Sequence, residues 1–181
     1  MSESKDKSKS KDKHKSSKVK ITTGPFLVPE EVDSELQGGR ENDRIIIILK
    51  NPTDKYLKVK VTLGVCLEPR TPMSGHLNVY KDIEEKEIKL GYFTLKPHTC
   101  TRIERNIPRG LGIGKDESNA VYRVTAKGDF NVSSDKSTVL CGLAEISVIG
   151  GSVFNFQEAG LEQADPALFF PYSNFVVCNK C

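Results

Sequence analysis

An alternation of apolar and polar residues in the first half of the chain limits its fold more than any other feature of the sequence. From position 57 to position 63 every odd residue is Leu or Val, and every even residue is Lys or Thr. Such a period of two is typical of a β-strand with one buried face and one face in water. The apolar run at residues 45–49 predicts a strand buried on both faces, and the turn residues at 51–54 predict that the two strands pair as a hairpin.

Further apolar segments are separated by connectors rich in Pro, Gly, Ser, Asn and Asp, and no segment shows a convincing helical period. We predict strands in these segments, at residues 77–80, 87–95, 99–104, 120–127 and 137–149. Gly91 and Gly142 interrupt two of them and are expected to mark bulges or close backbone approaches. The pattern predicts an all-β fold, a single antiparallel β-sandwich with either an Ig-like or a jelly-roll topology.

The composition divides the chain into four segments. Residues 1–20 are a Lys/Ser-rich run that we predict to be disordered, and residues 21–43 are expected to form an extended arm. The sandwich is assigned to residues 44–150. Residues 151–181 form a flexible C-terminal tail, with a short strand at 153–156 and a helical turn within 158–167. Because this tail is aromatic, we expect it to pack on its own sandwich or, as the less favoured alternative, on a neighbour.

The formal charge of +3 is unevenly distributed along the chain. Residues 1–20 carry a net charge of +5, and the remainder carries −2. A mildly acidic body argues against nucleic acid as a partner, and the tail is interpreted as a solvating segment. No stretch is apolar enough to span a membrane, and no apolar segment follows the N-terminal lysines as in a signal peptide, so we expect synthesis in the cytoplasm.

The sequence contains no recognisable catalytic motif. The histidines are His14, His76 and His98, and the latter two are expected to be exposed loop residues. The loop at residues 109–116 differs from a phosphate-binding loop, since Arg109 replaces the first glycine and Asp116 replaces the hydroxyl residue. We therefore predict that the protein is not an enzyme and has no catalytic residue and no cofactor.

The five cysteines are the most informative residues. Cys178 and Cys181 form a C-x-x-C pair without a following helix to stabilise a thiolate, which argues against redox catalysis. We predict that this pair forms intermolecular disulfides. Cys66, Cys100 and Cys141 are further candidates for cross-linking, with a role as small buried hydrophobic residues as the alternative. Half a zinc site is present in the C-x-x-C pair, but spacing supports no complete one, and no metal is predicted.

The tail, the dispersed cysteines and two connectors, NPTDK at residues 51–55 and FTLKP at residues 93–97, resemble structural proteins of bacterial endospore surfaces. These include exosporium proteins and the subunits of spore appendage fibres. The resemblance implies a β-sandwich joined to its neighbours by disulfides and deposited on the spore surface. We therefore expect a non-enzymatic structural protein whose partners are further copies of itself or other surface-layer proteins. The alternative is a β-sandwich binding module that recognises a protein or glycan partner.

Overall fold

In the part of the chain that the structure describes, the regular elements are antiparallel β-strands and one 3₁₀ turn. The computed structural model describes residues 18–29, 31–32, 40–67, 81–108, 116–117, 119–152 and 165–178. Within these ranges the strands are β1 (Val19–Thr22), β2 (Phe26–Leu27), β3 (Glu31–Val32), β4 (Arg40–Glu41), β5 (Arg44–Lys50), β6 (Leu57–Cys66), β7 (Lys86–Leu95), β8 (Cys100–Asn106), β9 (Val121–Gly128), β10 (Asn131–Val132), β11 (Val139–Leu140), β12 (Glu145–Ser152), β13 (Asp165–Phe170) and β14 (Val176–Val177). A 3₁₀ turn, Tyr172–Asn174, separates the last two strands.

The strands form two main sheets that pack face to face. Sheet I has the order β14-β1-β9-β6-β7, with β2 continuing along β9 beyond β1. Sheet II has the order β13-β12-β5-β8. Two-stranded pairs, β3–β4 and β10–β11, accompany them. The predicted antiparallel β-sandwich is confirmed.

The apolar core lies between the two sheets. Odd-numbered residues of β6 point inward, as their alternation predicts. They meet the inward-facing odd-numbered residues of β5 and the even-numbered residues of β9 and β12. The principal buried side chains are Ile45, Ile47, Leu49, Val59, Val61, Leu63, Tyr122, Val124, Ile146 and Val148. The opposite faces of β6 and β9 carry the lysines at the surface, whereas Ile46 on the opposite face of β5 is also buried.

Strands β5 and β6 lie in different sheets, so the predicted hairpin between them is wrong. Strand β5 pairs with β8 and β12, whereas β6 pairs with β7 and β9. The turn between β5 and β6 carries the chain from sheet II to sheet I. Both strands have an apolar inner face, and these faces bury each other across the sandwich instead of lying side by side.

The predicted glycine positions have different outcomes. The register of β6 and β7 shifts next to Gly91, which has φ +146°, so the expected bulge is confirmed. The segment predicted as one strand at 137–149 is instead divided into β11 and β12. Gly142 lies between β11 and β12 and has φ +100°. Glycine is favoured at this position because it adopts positive φ values without a steric penalty.

The sandwich extends beyond the predicted boundaries of 44 and 150. Val19 and Lys20, expected in the disordered tail, belong to β1, and Phe26 of the expected arm is buried. Strand β13 pairs with β12, and β14 pairs with β1. Phe175 is buried, and the ring of Phe170 lies 5.0 Å from that of Phe26, so residues 165–178 pack on their own sandwich as expected.

The structure of the C-terminal segment also differs from the prediction in one element. Residues 165–167 are in β13, not in the predicted helical turn, and the described part of the predicted flexible tail is folded into the sheets. The predicted strands at 77–80 and 153–156, and the tail up to residue 17, lie outside the described residues.

Candidate functional site

The predicted cross-linking cysteines are spread over the sandwich. Cys66 ends β6, Cys100 begins β8, and Cys141 follows β11. All three are free thiols; Cys100 and Cys141 are exposed, whereas Cys66 is partly buried. The exposure of Cys100 and Cys141 contradicts the alternative of a buried hydrophobic role for these two residues.

Cys66 lies in a setting that suppresses its reactivity. Burial, followed by the nearby Glu85 carboxylate, raises the pKa of its thiol. Glu85 is held by Arg123, which donates from Nε at 3.1 Å and from Nη2 at 2.5 Å. Because the thiolate is the nucleophile in disulfide chemistry, Cys66 is the weaker candidate for cross-linking.

Cys178 is tied to sheet I at the end of β14. Its backbone N–H donates to the carbonyl oxygen of Lys20 at 2.8 Å, and its sulfur is disulfide-bonded rather than free. Cys181 lies outside the described residues. The structure therefore brings none of Cys66, Cys100 and Cys141 together as a pair within the part of the chain that it describes.

The histidines and the loop at residues 109–116 do not form a common site in the part of the chain that the structure describes. His98 lies 2.7 Å from Asp54 Oδ1 in an exposed contact between two turns, while His14, His76 and most of the loop at 109–116 lie outside the described residues. Among the residues that the structure describes, no group of three His, Cys, Asp or Glu side chains could hold a metal ion. In the same residues no helix is long and apolar enough to cross a membrane.

A basic pocket on the outer face of sheet I was not predicted from the sequence. It has a volume of about 350 Å³ and is lined by Lys18, Lys58, Val59, Lys60, Tyr92, Phe93, Thr94 and Lys127. The even-numbered residues from 58 to 62 are polar in the sequence, which indicates that Lys58 and Lys60 share one face. The register that adds Lys127 from β9 could not be obtained without the strand pairing.

The arginines of the sandwich and the lysines of the pocket differ in their electrostatic partners. Four arginines lie against carboxylates, in the pairs Arg44–Glu104, Arg102–Glu104, Arg105–Glu117 and Arg123–Glu85. By contrast, the lysines of the pocket have no carboxylate within 4.0 Å among the described residues. Three glutamates are thus paired with arginines away from the pocket, and no such pair within the described ranges offsets the positive charge of the pocket lysines.

The fold and the surface features described above are the observations that bear on the function of this protein. No protein-family model, curated protein or solved structure matches this chain.

Proposed function

We propose that this protein is a non-enzymatic structural protein that self-associates and becomes cross-linked through disulfides at its surface. The observation that carries this proposal is the exposure of two free thiols, Cys100 and Cys141, on a β-sandwich. Sulfur atoms on the surface of a rigid fold are accessible to the same atoms of a second copy. The spore surface, as the place where this function is exerted, is a further part of the proposal and rests on the resemblance of the tail and connectors.

The cross-linking step needs an oxidant, for which we propose a small-molecule disulfide. The thiolate of one cysteine attacks this disulfide and forms a mixed disulfide, which releases one small thiol. The thiolate of the second protein copy then attacks the mixed disulfide, forms the intermolecular bond and releases the second small thiol. Cys178 takes part only after exchange of the bond that it already has, so Cys100 and Cys141 are the primary candidates.

The experiment is oxidation of the full chain in a glutathione redox buffer, followed by non-reducing electrophoresis. We expect covalent oligomers that disappear on reduction and that are strongly reduced in Cys100→Ser/Cys141→Ser. Cys66→Ser is the matched control, and we expect it to oligomerise like the parent protein. If Cys100→Ser/Cys141→Ser still forms covalent oligomers and Cys178→Ser/Cys181→Ser does not, the cross-linking site is the C-terminal cysteine pair, as predicted from the sequence.

The same experiment separates this function from that of a binding module. A binding module for a protein or glycan stays monomeric in light scattering at neutral pH, before and after oxidation. A monomer under both conditions would overturn the assembly proposal. Mass spectrometry of the non-reduced protein from its native source would then identify the cysteine bonds present in the organism and test the proposed spore-surface location.

A further inference from the structure

Lysines from three neighbouring strands lie directly opposite one another on the outer face of sheet I. Lys60 of β6 is paired with Lys127 of β9, which is paired with Lys20 of β1. Adjacent strands are about 4.8 Å apart, so the Cα atoms of these three lysines lie at regular short intervals across the sheet. Like charges directly opposite each other destabilise a sheet, so stability of the fold does not explain the pairing of Lys60 with Lys127.

Two more lysines extend this row into a surface. Lys58 lies two residues before Lys60 on β6, and Lys18 lines the same pocket just before β1 begins. We call Lys18, Lys20, Lys58, Lys60 and Lys127 the lysine face. Asp129 is held at one end of this face, where its carboxylate accepts a hydrogen bond from the Lys58 backbone N–H at 2.7 Å.

An exposed aromatic ring lies beside the lysine face. Tyr92 of β7 is directly opposite Lys60, its exposed fraction is 78%, and the Lys60 ammonium lies 5.5 Å from its ring centroid. Tyr56, with an exposed fraction of 65%, precedes β6 and lies two residues before Lys58. Exposed tyrosine rings are suitable platforms on which a planar group can stack.

In the sequence, Lys18 follows a segment that is rich in lysine. Residues 1–17 contain six further lysines and end next to Lys18. The run of lysines in the sequence therefore extends beyond those that line the pocket. Such an extended run of positive charge favours an extended polymer as the ligand over a small ion. The net charge of −2 for residues 21–181 had argued against such a partner, but a net charge does not report how the charges are segregated between faces.

We propose that the lysine face binds single-stranded nucleic acid, with phosphates on the lysines and a base stacked on Tyr92. A basic surface beside an aromatic platform is the combination that recognises single strands without sequence preference. A single strand is favoured over a duplex because the base faces of a duplex are covered by their neighbours. The lysines supply point charges and no fork of parallel donors, which suits phosphate contact without base readout.

The test is fluorescence anisotropy of labelled oligothymidylate with the full chain over a range of salt concentrations. The key variant is Lys60→Gln/Lys127→Gln. Its control, Lys50→Gln/Lys55→Gln, removes the same charge from sheet II and a turn. Because each phosphate contact on a single strand contributes about 0.7 to the salt slope, we expect the key variant to flatten the slope of log Kd against log salt by about 1.4. The control should keep the parent slope.

A second arm tests the stacking on Tyr92. We expect Tyr92→Ala to weaken oligothymidylate binding about tenfold, in the range of loss for one stacked base, and to leave binding of inorganic polyphosphate unchanged. The control is Phe169→Ala, which removes an exposed ring from sheet II. The proposal is overturned if the parent protein does not bind, if the two charge variants behave alike, or if Tyr92→Ala affects both probes equally. Tighter binding to heparin than to oligothymidylate, unaffected by Tyr92→Ala, would identify an anionic glycan as the partner instead.

Discussion

The side-chain amide of Asn51 donates a hydrogen bond to the backbone carbonyl of Leu95, 44 residues later in the chain, at 3.1 Å. The same nitrogen donates to the carbonyl oxygens of Lys96 and Lys55, and the amide oxygen accepts from the backbone and hydroxyl of Thr53. One buried side chain thus joins the turn after β5 to the turn after β7.

Replacement of Asn51 by Ala should destabilise the sandwich by about 3 kcal/mol, because it leaves buried carbonyl oxygens without donors. The measurement is urea unfolding of the variant and the parent protein. Asn106→Ala, at an exposed position, is the control, and its effect should stay within about 0.5 kcal/mol. Equal midpoints for the two variants would show that the turns are not held together by Asn51.

The ion pair between Arg105 and Glu117 is a second site where a polar interaction supports the fold. The two groups are 2.6 Å apart, only 16% and 8% of their side chains are exposed, and Tyr122 donates to Glu117 Oε2 at 3.2 Å. Glu117→Leu should cost about 3 kcal/mol, since a buried guanidinium loses its counter-charge. We expect Arg105→Leu/Glu117→Leu to recover most of this loss in thermal unfolding, and a double variant less stable than Glu117→Leu would contradict the explanation. Arg102→Gln, on an exposed pair, is expected to cost less than about 1 kcal/mol.

The sequence was sufficient to predict strands but not the pairing of β5 with its neighbours. Alternation at residues 57–63 reports which side chains face the core, and the structure agrees with it. A turn such as residues 51–54 reverses the chain equally well within a sheet or between two sheets. Strand β5 pairs with β8 and β12, which are both distant from it in the sequence, so local chemistry could not identify its partners.

The candidate sites were predictable to different degrees for a related reason. The cysteines are visible as residues, but only the fold distinguishes exposed Cys100 from partly buried Cys66. Lys60 and Lys127 are 67 positions apart, and no pattern in the sequence indicates that they lie opposite one another in the sheet. A surface assembled from several strands depends on register, whereas a motif within one strand does not.

Asp135 provides a prediction for pH dependence. Hydrogen bonds from Ser133 and Ser137 lower the pKa of its carboxyl from the ordinary 3.8 to about 2. A folded-state pKa below the unfolded value stabilises the fold above pH 3.8, and this contribution is lost as the pH falls through about 2. Carboxyl ¹³C NMR titration of Asp135 should therefore show a midpoint near 2. In Ser133→Ala/Ser137→Ala the midpoint should rise toward the ordinary value; an unchanged midpoint would mean that the two serines do not cause the shift.

The three free cysteines should differ in their rates of alkylation. We expect iodoacetamide at mildly alkaline pH to label Cys100 and Cys141 before Cys66, because Cys66 is partly buried and its thiol has a raised pKa. Peptide mass spectrometry of timed samples gives the three rates. Glu85→Gln should accelerate the labelling of Cys66, since one of the causes of its raised pKa is removed. Equal rates at the three positions would show that the environment of Cys66 does not protect it.

Gly128 should be the least replaceable glycine of sheet I. It lies in β9 directly opposite both Val59 and Val19, and a methyl group there would contact the Lys58 carbonyl oxygen and come within 2.9 Å of Val59 Cα. These are backbone atoms that cannot rotate away, so Gly128→Ala is expected to cost about 3 kcal/mol in urea unfolding. Gly24→Ala is the matched control, because a methyl group at Gly24 meets no atom within 4 Å. Equal stability of the two variants would show that the close approach of β6 and β9 can relax at low cost.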